Sequence, residues 1–184
     1  MKKTSAAFTL IEIMVVVMLV GMMATMGLPR LFHRPPATEW PVIMQDFNNL
    51  VFFARQEAIS NQTIYRLTFN SNDKGPDFVM VEEEKDDTEK PGRKFFERVY
   101  SPFLTTKYEL SEYIKIKAVY YGKTEMMAEN KGIGYCYVVS DGLVQDVIVH
   151  LLRIYDGVES KVSFKMMPFL GNFEYFDGFV KPEV

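Results

Sequence analysis

One cysteine, Cys136, and two histidines, His33 and His150, are all that this 184-residue chain offers to thiol and imidazole chemistry. A single cysteine excludes an intramolecular disulfide, so the fold does not rely on covalent staples. Cys136 stands in an alternating apolar stretch, where a buried and inert thiol is expected. Without paired cysteines or a His-x-x-x-His spacing, the ligands of a structural or catalytic zinc site are missing. There is no Gly-x-Ser-x-Gly elbow for a nucleophile and no glycine-rich loop to cradle a phosphate. Clustered carboxylates occur only in Glu82–Arg93, which lacks the regular ligand spacing and Gly hinge of a calcium loop. That stretch reads as a solvated loop, too exposed to tune a carboxyl for acid–base work. No repeat of 20 to 50 residues is present. Read this way the chain has no catalytic site, no metal site and no cofactor, and it is not an enzyme.

Charge is also missing where it is most informative. From Ile13 to Pro29 there is no Asp, Glu, Lys or Arg, and the residues are mostly Val, Met, Leu and Ile. The run from Phe8 to Leu28, taken as a helix, spans roughly 31 Å at about 1.5 Å per residue. That matches a hydrocarbon core of about 30 Å. Within it sits Glu12, near the N-terminal end. A carboxylate costs about 2.5–3.5 kcal/mol at the bilayer centre and less toward either end. A plain anchor would be more stable with another Leu, so Glu12 is a functional candidate. The bland alternative is a helix-dipole interaction at the headgroup level.

The N-terminal residues Met-Lys-Lys-Thr-Ser-Ala-Ala7 followed by Phe8-Thr-Leu-Ile-Glu12 resemble the processing site of type IV prepilins and type II secretion pseudopilins. Those families combine a short basic leader, a small residue before the cut, Phe, three mostly apolar residues, Glu and a helical span. Gly21 and Pro29 also fall where the family tends to place helix-weakening residues. Ala7 stands where Gly is usual. The resemblance implies cleavage between Ala7 and Phe8, N-methylation of Phe8, and a role for Glu12, with Phe8, in subunit assembly within the membrane. There Glu12 neutralises the N-terminal amine of a neighbouring subunit.

Lys2 and Lys3 before the span balance Arg30 and Arg34 after it, so the positive-inside rule alone leaves the orientation open. The resemblance places the N-terminus in the cytoplasm and the C-terminal domain in the periplasm, as a single-pass inner-membrane protein. An ordinary secretory signal peptide is the competing reading, with Thr25 and Gly27 as its small residues and Leu28 as the mature start. Removing the leader takes two lysines from the 21 Lys and Arg, leaving 19 against 24 Asp and Glu, a net of −5. That acidic balance argues against nucleic acid as a partner.

Beyond the span, Pro35-Pro36 predicts a kink or unwound joint at Arg34–Ala37. A second helix then begins, with Thr38 as its cap and Pro41 in the tolerant first turn. Ile43, Phe47, Leu50, Ala54 and Ala58 recur at helical spacing, a core-facing stripe, while Asp46, Asn48, Arg55 and Gln56 fall on other faces. The period then changes to two. Strands are expected at Thr63–Phe69, Asp77–Val81, Tyr113–Tyr121, Gly134–Val139, Leu143–Leu152, Val158–Met167 and Phe173–Phe179. Turns are expected at 70–76, at Ser140-Asp-Gly142 and at Gly171-Asn172. In Tyr113–Tyr121, Ile114, Ile116, Ala118 and Tyr120 form one face and Lys115, Lys117 and Val119 the other.

The expected fold class is α+β and pilin-like: a transmembrane helix, an amphipathic helix and a C-terminal antiparallel β domain. Its segments are a leader at 1–7, the span at 8–30, a joint and helix at 31–61, and a β-rich domain at 62–184. Leu50–Ile59 and the strand order resemble H-class pseudopilins, whose helix packs against an antiparallel sheet. The resemblance implies a minor pseudopilin of a type II secretion system, assembling into a periplasmic pseudopilus that supports protein export. The implied partners are other major and minor pseudopilins, a prepilin peptidase/methylase, the inner-membrane secretion platform and the lipid bilayer. Two alternatives stay open: a minor type IV pilin for pilus assembly, adhesion or DNA uptake, and a membrane-anchored or secreted periplasmic binding module.

Overall fold

The helical spacing of Ile43, Phe47, Leu50, Ala54 and Ala58 does what it predicts. All five are buried, and they lie on a 23-residue helix, α2 (Glu39–Asn61). The computed structural model describes residues 10–32, 39–72, 75–90 and 92–182, with the backbone alone described for 23–32. Ahead of α2 is a helix of equal length, α1 (Leu10–Phe32). The joint expected at Arg34–Ala37 and the Thr38 cap lie outside the described residues. The chain divides into two units, 1–40 and 41–184.

In the second unit α2 is followed by strands β1 (Tyr65–Asn70), β2 (Phe78–Asp86), β3 (Lys94–Arg98), β4 (Lys107–Glu109), β5 (Ile114–Tyr121) and β6 (Thr124–Glu125). A single helical turn, α3 (Met126–Glu129), leads to β7 (Ile133–Val138), β8 (Ile148–Tyr155), β9 (Val158–Met167) and β10 (Asn172–Asp177). The α+β class is as expected, and the strands form two antiparallel sheets. One runs β3-β2-β1-β7, with β4 also on β2; the other runs β10-β9-β8-β5-β6. Phe47 of α2 joins them. Its ring lies 5.9 Å from Phe69 of β1 and 6.1 Å from Tyr108 of β4, and on the other sheet 5.6 Å from Phe164 and 6.0 Å from Phe173. Burying such a ring stabilises the fold by about 1.5–3 kcal/mol, and edge-on ring contacts add to that.

Three local expectations change. First, Glu82–Arg93 is not all loop: β2 runs on to Asp86 and β3 starts at Lys94. The acidic run survives as strand because cations oppose it, Lys94 bonding Glu84 at 2.6 Å and Lys85 bonding Glu97 at 2.6 Å. Cross-strand pairs of opposite charge support a ladder that propensity alone disfavours.

Second, Leu143–Leu152 is not one strand. Val144 makes a bridge to Val138, and the amide of Gln145 donates to the Tyr137 carbonyl at 2.8 Å, so this part pairs with β7. The chain then crosses to the other sheet, where β8 begins at Ile148. Alternating apolar character suits either partner, which is why the sequence pattern reads through the crossing.

Third, a register shift between Ile116 and Ala118 of β5 swaps its faces. Val119, expected beside the lysines, is fully buried and faces Gly134 of β7. A Cβ placed on Gly134 would stand 2.6 Å from the Cβ of Val119. The two sheets approach closely here, and any side chain at 134 would have to displace Val119.

A second tie between the sheets is Asp77, whose side chain is completely buried. One carboxylate oxygen accepts the Ile116 amide at 2.7 Å. The other accepts the Asn72 amide at 2.9 Å and the Lys115 ammonium at 3.2 Å. The loop between β1 and β2 is thereby fastened to β5.

Candidate assembly site

A helix whose apolar residues point in every direction must be covered by something other than water. The described side chains of α1, from Leu10 to Met22, are all exposed in the single chain, from Val16 at 51% to Leu10 at 78% among the large apolar ones. Contiguous exposed apolar surface of this kind marks a membrane or protein contact. Gly21 adds to it, because a Cβ there would meet nothing within 4 Å of its own chain. Among the described residues no helix is long and apolar enough to cross a membrane. The apolar run at 8–28 begins outside the described residues, and its side chains from 23 onward lie outside them too.

Glu12 occupies the first turn of α1 and is exposed. Ala7 and Phe8, the expected cleavage and methylation positions and the other half of the assembly pair, lie outside the described residues. The structure thus places Glu12 alone of the predicted site residues.

The thiol and the imidazole of His150 are accounted for within the fold. Cys136, in the middle of β7, is fully buried, and burial pushes its thiol well above the ordinary range, with Asp146 adding to the effect. An unreactive structural cysteine results. His33 lies outside the described residues. His150 on β8 is buried against the C-terminal segment: Phe179 stacks on its ring at 4.5 Å, and Nε2 lies 3.0 Å from the Val180 carbonyl. Burial lowers its pKa, against smaller raising effects of Val180 and Glu125. Ser163 holds the same segment by donating to the Gly178 carbonyl at 2.8 Å and accepting the Val180 amide at 2.9 Å. No group of acidic, histidine and cysteine residues able to hold a metal ion occurs among the described residues.

Polar residues of α2 that the helical pattern set aside have structural tasks. Asn48 accepts the Phe173 amide at 2.6 Å, tying the helix to β10. Arg55 donates to the Gly142 carbonyl at 2.8 Å and the Leu170 carbonyl at 2.7 Å, tying it to two turns. Nothing in the local pattern distinguishes these two from solvated residues, because their partners are 87 to 125 positions away. On the outer face of the first sheet, Arg66 lies between the rings of Phe96 at 3.9 Å and Tyr135 at 4.2 Å. It also bonds Glu82 at 2.7 Å.

One comparison bears on the N-terminus. Residues 2–28 match the model of the prokaryotic N-terminal methylation motif. No curated protein matches the chain. Among solved structures, the chain is similar to the minor pseudopilin EpsH from the type 2 secretion system of Vibrio cholerae. The likeness has 11% identity and a TM-score of 0.48, over 74% of this chain and 95% of that one. The motif implies a membrane-anchored N-terminus, processing by a prepilin peptidase and assembly with other pilin-like subunits. Over its first 28 residues, ahead of an α+β domain, the chain is type IV prepilin-like.

Proposed function

We propose that the protein is a non-enzymatic assembly subunit, specifically a minor pseudopilin of a type II secretion system. One observation carries the reading. The methylation motif over 2–28 overlaps a helix whose described apolar side chains are exposed all round and need covering. On this reading the chain is cut between Ala7 and Phe8, the new amine of Phe8 is methylated, and the subunit waits in the inner membrane with its β domain in the periplasm. During assembly Glu12 neutralises the amine of a neighbouring Phe8. An ionised pair is tolerated in a bilayer where a lone charge is costly, and its short reach sets the axial register between helices.

Mass and N-terminal sequence of the mature protein test the cut. Loss of the seven leader residues and a methylated Phe8 are expected; a mature start at Leu28, or an uncut chain, refutes it. Ala7→Asp should leave the precursor uncut. Glu12→Ala should insert normally in the membrane but lose co-purification with partner subunits; normal assembly would remove the ion-pair role. Deleting the gene should abolish protein export while leaving surface pili intact, and the reverse outcome would assign the subunit to a pilus.

A further inference from the structure

A cleft of about 680 Å³ runs along α2 beneath the loop that joins β3 to β4. Its floor is the buried pair Leu50 and Phe53. Its rim is apolar and unusually open: Phe52 is 63% exposed, Phe103 92% and Leu104 57%. Such side chains are normally covered. The loop has a defined shape, since the amides of Phe103 and Leu104 both donate to Ser101 Oγ, at 3.3 and 3.2 Å. Its two apolar side chains are therefore presented by a small hydrogen-bonded turn.

The charges along this cleft have one sign. Asp46 and Glu57 line it, and no Lys, Arg or His does. They stand eleven positions apart on α2, which is three helical turns, so both lie on one face about 16 Å from each other. Leu50 and Phe53 fall between them on that face. Asp46 makes no ion pair or hydrogen bond among the described residues, and Glu57 accepts one bond, from Asn61 at 3.1 Å. Two carboxylates thus bracket a cleft whose floor, Leu50 and Phe53, is buried and whose exposed apolar rim, Phe52, Phe103 and Leu104, faces an incoming surface.

We propose that this cleft docks an amphipathic helix of a partner protein, one whose apolar stripe is bracketed by two Lys or Arg residues three turns apart. The eleven-residue spacing repeats on any helix laid alongside α2, so each cation meets one carboxylate while the apolar stripe covers Phe52, Phe103 and Leu104. Nucleic acid and anionic lipid headgroups are repelled by the same two carboxylates. The docking surface belongs to the β domain and its helix, and holds whether or not the chain is cut at Ala7.

The test uses full-length protein in nanodiscs of zwitterionic lipid and two fluorescent 18-residue helical peptides. Both carry the same Leu stripe; one has Lys at two positions eleven apart, its twin has Glu there. Fluorescence anisotropy should show the Lys peptide binding at least tenfold more tightly than its twin, with the difference shrinking as salt rises. Asp46→Asn with Glu57→Gln should abolish the difference, and Asp46→Lys with Glu57→Lys should invert it. Phe103→Ser should weaken both peptides equally, since it removes apolar cover without touching charge. Equal affinity of the twins, a preference unchanged by either double substitution, or no binding beyond that of empty nanodiscs would overturn the proposal. The neutral double variant keeps the test decisive if the charge-reversed protein fails to fold.

Discussion

Replacing Asp77 by Ala removes the buried acceptor for two backbone amides and one half-exposed ammonium. The amides of Ile116 and Asn72, at 2.7 and 2.9 Å, lose their partner. Each buried donor left unsatisfied costs about 1–3 kcal/mol. The ammonium fares better. Lys115 keeps the carbonyls of Asn72 at 3.2 Å and Gly75 at 3.0 Å, and its side chain is 35% exposed, so it is not stranded. Breaking a fully buried ion pair costs about 3–5 kcal/mol, and this half-open pair belongs at the lower end. A loss of about 3 kcal/mol is expected, a large share of the 5–15 kcal/mol that holds a typical domain together. For a chain of this size that is a fall in Tm of about 6–12 °C. Thermal unfolding of the full-length protein in nanodiscs, followed by far-UV circular dichroism, measures it. Hydrogen exchange at the Ile116 amide adds a local readout, and its protection should fall with the global loss. Lys115→Met should cost less, because both amides still donate to the Asp77 carboxylate that it leaves without a cation. A loss below about 1 kcal/mol for Asp77→Ala, or equal losses for the two substitutions, would show that the carboxylate does not fasten the sheets.

Gly134→Val should destabilise more than Gly134→Ala. Both push a Cβ to 2.6 Å from that of Val119, and the larger side chain adds atoms to a contact that is already closed. Overpacking of this kind costs about 1–3 kcal/mol or more, and Gly134→Ala combined with Val119→Ala should recover part of it in urea unfolding. His150 gives a pH dependence of definite sign. Its folded pKa is lowered, chiefly by burial, so the folded state binds fewer protons than the unfolded one below the ordinary value of about 6.5. Stability should be level above that pH and fall as pH drops through the lowered value. In His150→Phe that part of the slope should vanish, and an unchanged slope would assign it to the carboxylates.

The helical stripe of α2 was legible because all five of its apolar positions face one core, and a 3.6-residue period reports that directly. The motif around Glu12 was legible because a charge in an apolar run is costly wherever the run ends up. The Leu143–Leu152 segment was misread for an equally physical reason. Alternation reports that one side is buried and is silent about which sheet supplies the partner, so the crossing between Gln145 and Val147 left no trace. The bulge in β5 hid in the same way. One extra residue reverses which side of the strand is inward, and Val119 exchanged faces with no change in composition. Asp77 reads from its surroundings as the first residue of a strand, and its role needs Ile116 and Lys115, about 40 positions on.

The sequence alone determined what can be read from short range: an apolar helix with one carboxylate near its start, an amphipathic helix behind it, and strands separated by turns. The absence of thiol pairs and histidine clusters belongs to the same level, since it depends on counting. The tertiary structure decided everything that requires distant segments to meet. It set the strands into two sheets, spread Phe47 across both and closed Asp77 between them. The cleft shows the division most plainly. Asp46 and Glu57 were always three turns apart on one helix, but only the β3–β4 loop, folded over Leu50 and Phe53, turned that interval into a surface with a rim. The N-terminal Glu12 is the opposite case, because a membrane makes its cost local and therefore visible from the sequence.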